Sequence, residues 1–341
     1  AKSVIEAVNT VDTHVGDGTT SSAILIGSLL DNAKDLLNMG IPVTVIIKGY
    51  ERSLDYTLDV LDDVKISSNN LDQKIMKQLL VTCLDGKALF DLYESQEKIS
   101  NLMIESISCI RDFKNNYINT DDIKIEEKIG NISETQLIRG TILDKTIDSS
   151  AMPRSIDNPK ILLINESLET MKTKSESEIE ITSPEQMSQF LIQENTDLEI
   201  LVKKIIDADI DVVISRKGVN DFVQEALAQK GIITIRRVKY NDLWWLEKAT
   251  GAKTCKDIHK ISVDEIGYAK KIYEKIIGGD KMIFVEGVNP KSVTLLLRAN
   301  SKRYLDELHR NALNGFKVLK NFIENPFMVS GAGAIEGIIA E

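Results

Sequence analysis

A multidomain protein, partly all-α and partly α/β, is the fold class this sequence predicts, and three observations carry that prediction. At 341 residues the chain exceeds what one ordinary core organises, so two or three domains are expected. Over the first 120 residues apolar side chains recur at three- and four-residue spacing, the period of helices with one buried face. Near Asp121 the pattern changes to short β-branched runs separated by helical stretches, which places an α/β domain over roughly residues 136–298.

The elements follow in order. "KSVIEAV" carries helical spacing at Val4, Ile5 and Val8. From Thr19 to about Asp63, Ile26, Leu29, Leu30, Ala33, Leu36 and Leu37 form the expected buried face of a helix, which "MGIP" interrupts before a second helix resumes. "SSNNLD" is a loop with a capping signal. Further amphipathic helices are expected over residues 71 to about 118, with Ile75, Leu79 and Leu80, then Ile104, Ile107 and Ile110, as apolar positions. "IKIEEKIG" alternates like a strand, and "QLIRGTIL", "KILLINE", "DVVISRKG", "GIITIRRV", "KMIFVEGV" and "SVTLLLRA" read as further strands. Helices are expected between them at 184–207, 219–230 and 241–249. After Arg298 the chain returns to helix, and "NPFMVSGAGA" supplies a glycine turn that opens into a last one.

Residues 167–210 interrupt the α/β alternation. They begin with the polar run "ETMKTKSESEIE" and continue as "SPEQMSQFLIQE", where Ser183 can cap, Pro184 suits the first helical position and Gln186 can complete a capping box. Met187, Phe190 and Leu191 make the apolar side. Pattern alone allows an ordinary helix packed on its sheet, or a projecting helix that offers a soft apolar surface to other proteins.

Composition excludes several functions. The charge sum is 42 − 52 = −10 with 5% aromatics, which is not the basic stripe with aromatic platforms that nucleic acid requires. No apolar run approaches a membrane span, and the opening residues do not read as a signal peptide. Cys83, Cys109 and Cys255 are far apart and form no CxxC pair, and a reduced, intracellular compartment, the cytoplasm, is expected. His14, His259 and His309 are isolated, with no zinc-ligand spacing. Both ends read as interrupted helices, so a fragment of a longer chain is expected.

The stretch "VGDGTTSSA", Val15 to Ala23, carries the chemistry. A glycine turn at a helix start is an anion site, because the first backbone N–H groups lack partners and the helix dipole is positive there. Gly16 and Gly18 allow close approach, and Thr19, Thr20 and Ser21 add hydroxyls for phosphate oxygens. Asp17 has no place beside a phosphate unless a cation mediates, so it reads as a Mg²⁺ ligand. There is no GxxxxGK[ST], and "GDGTTS" lacks both the third glycine and the preceding strand of a dinucleotide fingerprint. On pattern alone a plainly capped turn explains these residues as well as a nucleotide site does.

"VGDGTTSSAILIGSLL" closely resembles the nucleotide loop of group II chaperonins, the archaeal thermosome and the eukaryotic cytosolic chaperonin (TCP-1 family). "IKIEEKIGNISETQLIRGTILDK", "MPRSIDNPKILLINESLETMKTK", "IEITSPEQM", "LEKATGAK", "KMIFVEGVNPKSVTLLLRA" and "MVSGAGAIE" resemble thermosome segments in the family's order. The resemblance implies chaperonin architecture in three parts: helical equatorial (1–63 and 326–341) and intermediate (64–135 and 299–325) parts, and an α/β apical domain (136–298). A helical protrusion at about 166–200 would serve as a built-in lid, with Met187, Phe190 and Leu191 facing substrate or lid. It implies ATP and Mg²⁺ as cofactors, Asp17 on the metal, and Gly16, Gly18, Thr19, Thr20 and Ser21 on the phosphates. Gly331, Ala332 and Gly333 would lie beside the nucleoside. It implies unfolded proteins as substrates and identical or paralogous subunits as partners in a stacked double ring, with no nucleic acid and no membrane.

One departure bears on activity. The family carries an Asp, often within "HDAL", that activates the attacking water. Counting without gaps between "LDE" and "GAGA" places Asn314 there, whereas aligning "RNAL" gives Asn311. Either register puts an amide where the family has a carboxylate, and nearby Asp306 or Glu307 are the substitutes within reach. The expected function is an ATP-dependent chaperonin subunit. The alternatives are a subunit of a mixed ring that binds ATP but hydrolyses it slowly, and an ATP-independent holdase.

Overall fold

The computed structural model describes residues 2–68, 72–85, 93–112, 117–169 and 184–340, with backbone only for 93–95, 184–195 and His259. They form two compact units, Ala1–Thr120 with Asp306–Glu341, and Asp121–Leu305.

The first unit opens with α1 (Lys2–His14), α2 (Thr19–Asn38) and α3 (Val43–Val64), then β1 (Ile66–Ser67), α4 (Gln73–Leu84) and α5 (Tyr93–Ile110). Pro42 sits just before α3 in extended backbone, and the Asp72 side chain caps α4 by accepting from the Lys74 N–H. The second unit contributes β2 (Ile123–Ile129), β3 (Gln136–Ile138), β4 (Gly140–Leu143), β5 (Ser155–Asp157), β6 (Lys160–Ile164), α6 (Pro184–Asp207), β7 (Val212–Ser215), α7 (Asp221–Gln229), β8 (Ile233–Ile235), α8 (Tyr240–Thr250), β9 (Gly267–Ile277), β10 (Asp280–Gly287) and β11 (Val293–Ala299). The chain closes with α9 (Lys302–Glu324), β12 (Phe327–Met328) and α10 (Ala334–Ala340).

In the first unit the core lies among α4, α5 and α9. Leu80 and Leu84, Met103 and Ile107, and Leu308, Ala312, Phe316 and Leu319 are all buried at helical spacing. Gly315 lets α9 come close: a Cβ there would lie 2.5 Å from Met103 Cε and 2.9 Å from Leu80 Cδ2. β1 and β12 pair antiparallel, Ile66 opposite Met328, and so hold the end of α9 near the end of α3.

α2 differs from the sequence expectation. Its apolar stripe is present, but none of its residues is buried, and Leu30 is 59% exposed. Periodicity gives a helix its apolar side; burial needs a second layer against it. Among the described residues α2 packs chiefly with α1 and α3, and α3 with α10.

In the second unit the main sheet runs β4-β10-β9-β6-β7-β8, with β5 on β9; β6, β7 and β8 are parallel and the β4–β10–β9 part is antiparallel. Period-two alternation serves both faces. Ile161, Leu163, Val212 and Ile214 face α8 through Leu243 and Leu246, while Leu162, Ile164 and Val213 join Leu198, Leu201 and Ile205 of α6 and Val223 and Leu227 of α7. A smaller sheet, β2-β11-β3, pairs β11 parallel to β2 and antiparallel to β3. The strand β9, the longest of the chain's described strands, was not among the expected ones. The proposed lid positions Met187, Phe190 and Leu191 fall where side chains lie outside the described residues, as do residues 170–183 entirely.

Gly140, at the start of β4, supports one prediction. A Cβ there would lie 2.0 Å from the Val285 carbonyl oxygen, a backbone atom held in the β4–β10 ladder. Gly140→Ala is expected to lower stability by about 1–3 kcal/mol or more, the cost of overpacking; an unchanged urea midpoint would contradict it.

Candidate nucleotide site

The site grows from two helix ends. α1 finishes at His14, and the N–H groups of Val15 and Gly16 donate back to Val11 O (2.8 Å) and Asp12 O (3.1 Å). Gly16 (φ +81°) and Gly18 (φ +79°) then reverse the chain in left-handed backbone that only glycine adopts readily. Gly18 is the N-cap of α2, no side chain caps that end, and the helix's ladder begins with Ser22 N–H to Gly18 O at 2.9 Å. The N–H groups of Thr19, Thr20 and Ser21 therefore stand at a positive helix end without intrahelical acceptors.

Around that end the space is open. A Cβ on Gly18 would meet nothing within 4 Å, so an anion can approach the backbone there. Asp17, Thr20 and Ser21 are exposed and Thr19 is half-buried. Among the described residues no group of three His, Cys, Asp or Glu could hold a metal ion. Asp17 would serve as a protein ligand to a metal that takes most of its oxygens from phosphates and water, the usual arrangement for Mg²⁺. The donor set and the open cradle fit a Mg²⁺–polyphosphate.

α9 supports the turn from the other side. A Cβ on Gly16 would lie 2.7 Å from Lys317 Cβ, 2.8 Å from Lys317 Cδ and 3.1 Å from the Asn314 carbonyl oxygen, so glycine is needed here for space as well as for conformation. The Lys317 ammonium donates to Asp12 O at 2.7 Å and stands 3.8 Å from the Asp12 carboxylate. The Asn321 amide donates to His14 O (3.1 Å) and Val15 O (3.4 Å). Asn314, Lys317 and Asn321, spaced three and four apart, form one helix face that cradles the end of α1 and its turn. The amide serves the His14 and Val15 carbonyls beyond the helix's own ladder, and the cation adds a second donor to the Asp12 carbonyl, which already accepts from Gly16 N–H.

This face separates the two candidate amides. Asn314 is half-buried, with its main-chain carbonyl at Gly16, whereas Asn311 is 1% exposed and its Nδ2 has no partner. Asn311 lies one turn before Gly315, on the side that packs against α4 and α5. Of the two, Asn314 lies on the face that borders the turn.

Gly331, Ala332 and Gly333 form a separate exposed turn before α10, closed by Ala334 N–H to Gly331 O at 3.2 Å. Ala332 takes φ +59°, a conformation glycine adopts at less cost. Among the described residues no hydrogen bond links this turn to the Gly16–Ser21 turn; α10 packs with α3. Sequence reasoning missed Lys317, Asn321 and Asp12, because on a helix as rich in charged residues as α9 nothing local sets Lys317 and Asn321 apart, and their partners lie on α1 and its turn.

The comparisons agree with this geometry. The family model for the TCP-1/cpn60 chaperonin family matches residues 1–341. The chain is 37% identical over 340 residues to a thermosome subunit of Pyrococcus horikoshii, covering 98% of this chain and 61% of that one. It is 38% identical over 351 residues to thermosome subunit alpha of Sulfurisphaera tokodaii, covering 100% of this chain and 63% of that one. A solved open-state monomer of a group II chaperonin from Methanococcoides burtonii superposes with a TM-score of 0.65 at 29% identity, over 96% of this chain and 75% of the other. The chain thus spans less than two thirds of the length of these curated relatives. With its helical unit, its α/β unit and the glycine turn at the head of α2, the chain belongs to the TCP-1/cpn60 chaperonin family.

Proposed function

We propose that this chain is part of an ATP-dependent group II chaperonin subunit that binds and encloses unfolded proteins. The observation that carries the reading is the uncapped, open N-terminus of α2 behind Gly16, Asp17 and Gly18. Its role follows from the physics of the turn. Three free N–H groups and the hydroxyls of Thr19, Thr20 and Ser21 receive phosphate oxygens, Asp17 holds the Mg²⁺, and Gly331, Ala332 and Gly333 lie toward the nucleoside. When bound, the ATP–Mg²⁺ complex supplies the phosphoryl group whose hydrolysis drives the ring.

The residues of the chain do the positioning. Lys317 and Asn321 hold the turn to α9, and Asn314, carried on the same face, would orient the water. An amide donates and accepts hydrogen bonds but takes up no proton. This favours a second reading, a subunit of a mixed ring that binds ATP and turns it over slowly.

The three-part division, with 1–63 and 326–341 equatorial, 64–135 and 299–325 intermediate and 136–298 apical, is part of this proposal. So are the lid role of Met187, Phe190 and Leu191, the stacked double ring of identical or paralogous subunits, and a cytoplasmic setting without nucleic acid or membrane. No helix among the described residues is long and apolar enough to cross a membrane. Substrate contact is expected to be apolar and tolerant, since unfolded chains share exposed apolar surface.

The test completes the chain with the segments by which its relatives are longer, assembles the ring, and follows refolding of a chemically denatured enzyme. Recovery that needs ATP supports the reading. Equal suppression of aggregation with and without nucleotide, and no recovery of activity, would mean a holdase instead.

A further inference from the structure

The second unit contains a concavity whose charge is unlike the rest of an acidic chain. It is a cavity of about 400 Å³, lined by Glu134 and Gln136 from β3 and its approach, Lys275 and Ile277 of β9, and Arg298 near the end of β11. Arg298 is only 6% exposed. Both of its side-chain acceptors sit on Nη2: the Ile129 carbonyl at 3.0 Å and the Glu134 carboxylate at 2.9 Å. Nε is buried and has no partner.

Gly130 is what lets the guanidinium lie there. A Cβ on it would be 1.9 Å from Nη2 and 2.5 Å from both Cζ and Nε. Gly130 is not in left-handed backbone, so glycine serves space here and not conformation. Among the described residues neither the Lys275 ammonium nor the Gln136 amide has a hydrogen-bonding or ionic partner. Glu134 is the lining's sole carboxylate, and its side chain is 56% exposed, free to swing out.

A guanidinium presents five donors in a planar fork suited to carboxylate or phosphate oxygens. An oxyanion in the cavity would meet the charge of a guanidinium whose two acceptors both lie on Nη2. The cavity is larger than an inorganic ion needs, and Ile277 gives it an apolar wall, which suits a short organic body behind the charged head. We propose that this cavity binds a small organic oxyanion, a phosphate monoester or a carboxylate, on Arg298, Lys275 and Gln136, with Glu134 as the competing intramolecular acceptor.

Phenyl phosphate and benzoate are the two probes, titrated calorimetrically into the chain at fixed ionic strength. Saturable binding of at least one is expected, and which one binds identifies the preferred head group. Lys275→Glu should weaken it about three- to fivefold, and Glu134→Gln should tighten it by a similar factor, the range for partly exposed charges. Asp17→Asn should leave it unchanged, since that residue belongs to the nucleotide turn. Glu134→Gln separates the proposal from a structural ion pair: loss of a merely structural pair would not raise affinity for an added anion. Absence of saturable binding for both probes, indifference to either lining variant, or sensitivity to Asp17→Asn overturns the proposal.

Discussion

Asn314→Asp is expected to raise steady-state ATP hydrolysis by about 10²–10⁴-fold, the contribution of a positioned general base. Two geometric facts support the choice of position. Asn314 lies on the α9 face that holds the Gly16 turn, with its main-chain carbonyl beside Gly16, and Lys317 and Asn321 fix that face to the end of α1. The helix face is thus tied to the turn that would receive the phosphates, and an amide at 314 offers no proton acceptor. Phosphoryl transfer passes through a loose transition state, so positioning and the metal retain part of the rate in the parent. The measurement is turnover in rings of the completed chain, with nucleotide affinity followed in parallel. A large gain at similar affinity is the expected result. A brisk parent rate with no gain would mean that Asp306 or Glu307 supplies the base.

Asp242→Ala is expected to cost about 3–5 kcal/mol of stability, the penalty for leaving a buried charge without its counterion. Lys124 in β2 is 7% exposed; its ammonium donates to Asp242 Oδ1 at 2.7 Å and to Ile142 O at 2.6 Å, with the Trp245 ring centroid 5.1 Å away. Glu126, 3.5 Å from the same ammonium, remains as partial compensation and puts the loss toward the lower end. Burial raises the Glu126 carboxyl's pKa and Lys124 opposes that rise, which marks the surroundings as poor in water. Lys124→Met with Asp242→Leu should recover most of the loss, because an apolar pair of similar volume needs no solvation. Trp244 and Trp245 are the only tryptophans and stand side by side on α8, so their fluorescence reports unfolding of this unit. Additive costs for the two single changes, with no recovery in the double variant, would show that the pair is not coupled.

What the sequence makes legible follows from the range of the interactions involved. The glycine turn could be read directly, because left-handed backbone and an uncapped helix start are local properties. The strands β6, β7 and β8 were equally plain, as short β-branched runs buried on both faces. β9 was hidden: "GYAKKIYEKII" pairs a charged or tyrosine face with an inward face holding glycine and alanine as well as isoleucine. Lys124 lies in a strand that was recognised, yet its burial depends on Asp242, 118 residues later. The hold of Lys317 on Asp12 spans 305 residues and has no local signature. In α2 the reverse applies: the apolar stripe is visible in the sequence, and its exposure depends on which layers surround it.

The central claim is that the Gly16–Ser21 turn holds nucleotide through Mg²⁺ on Asp17. The direct measurement is the affinity of the completed chain for a fluorescent ATP analogue, with Mg²⁺ and with the metal chelated, for the parent and for Asp17→Asn. The account predicts saturable binding that weakens about tenfold or more when either the metal or the carboxylate is removed, and no further loss when both are. Equal affinity in all four conditions would contradict it and reduce the turn to a capped helix start.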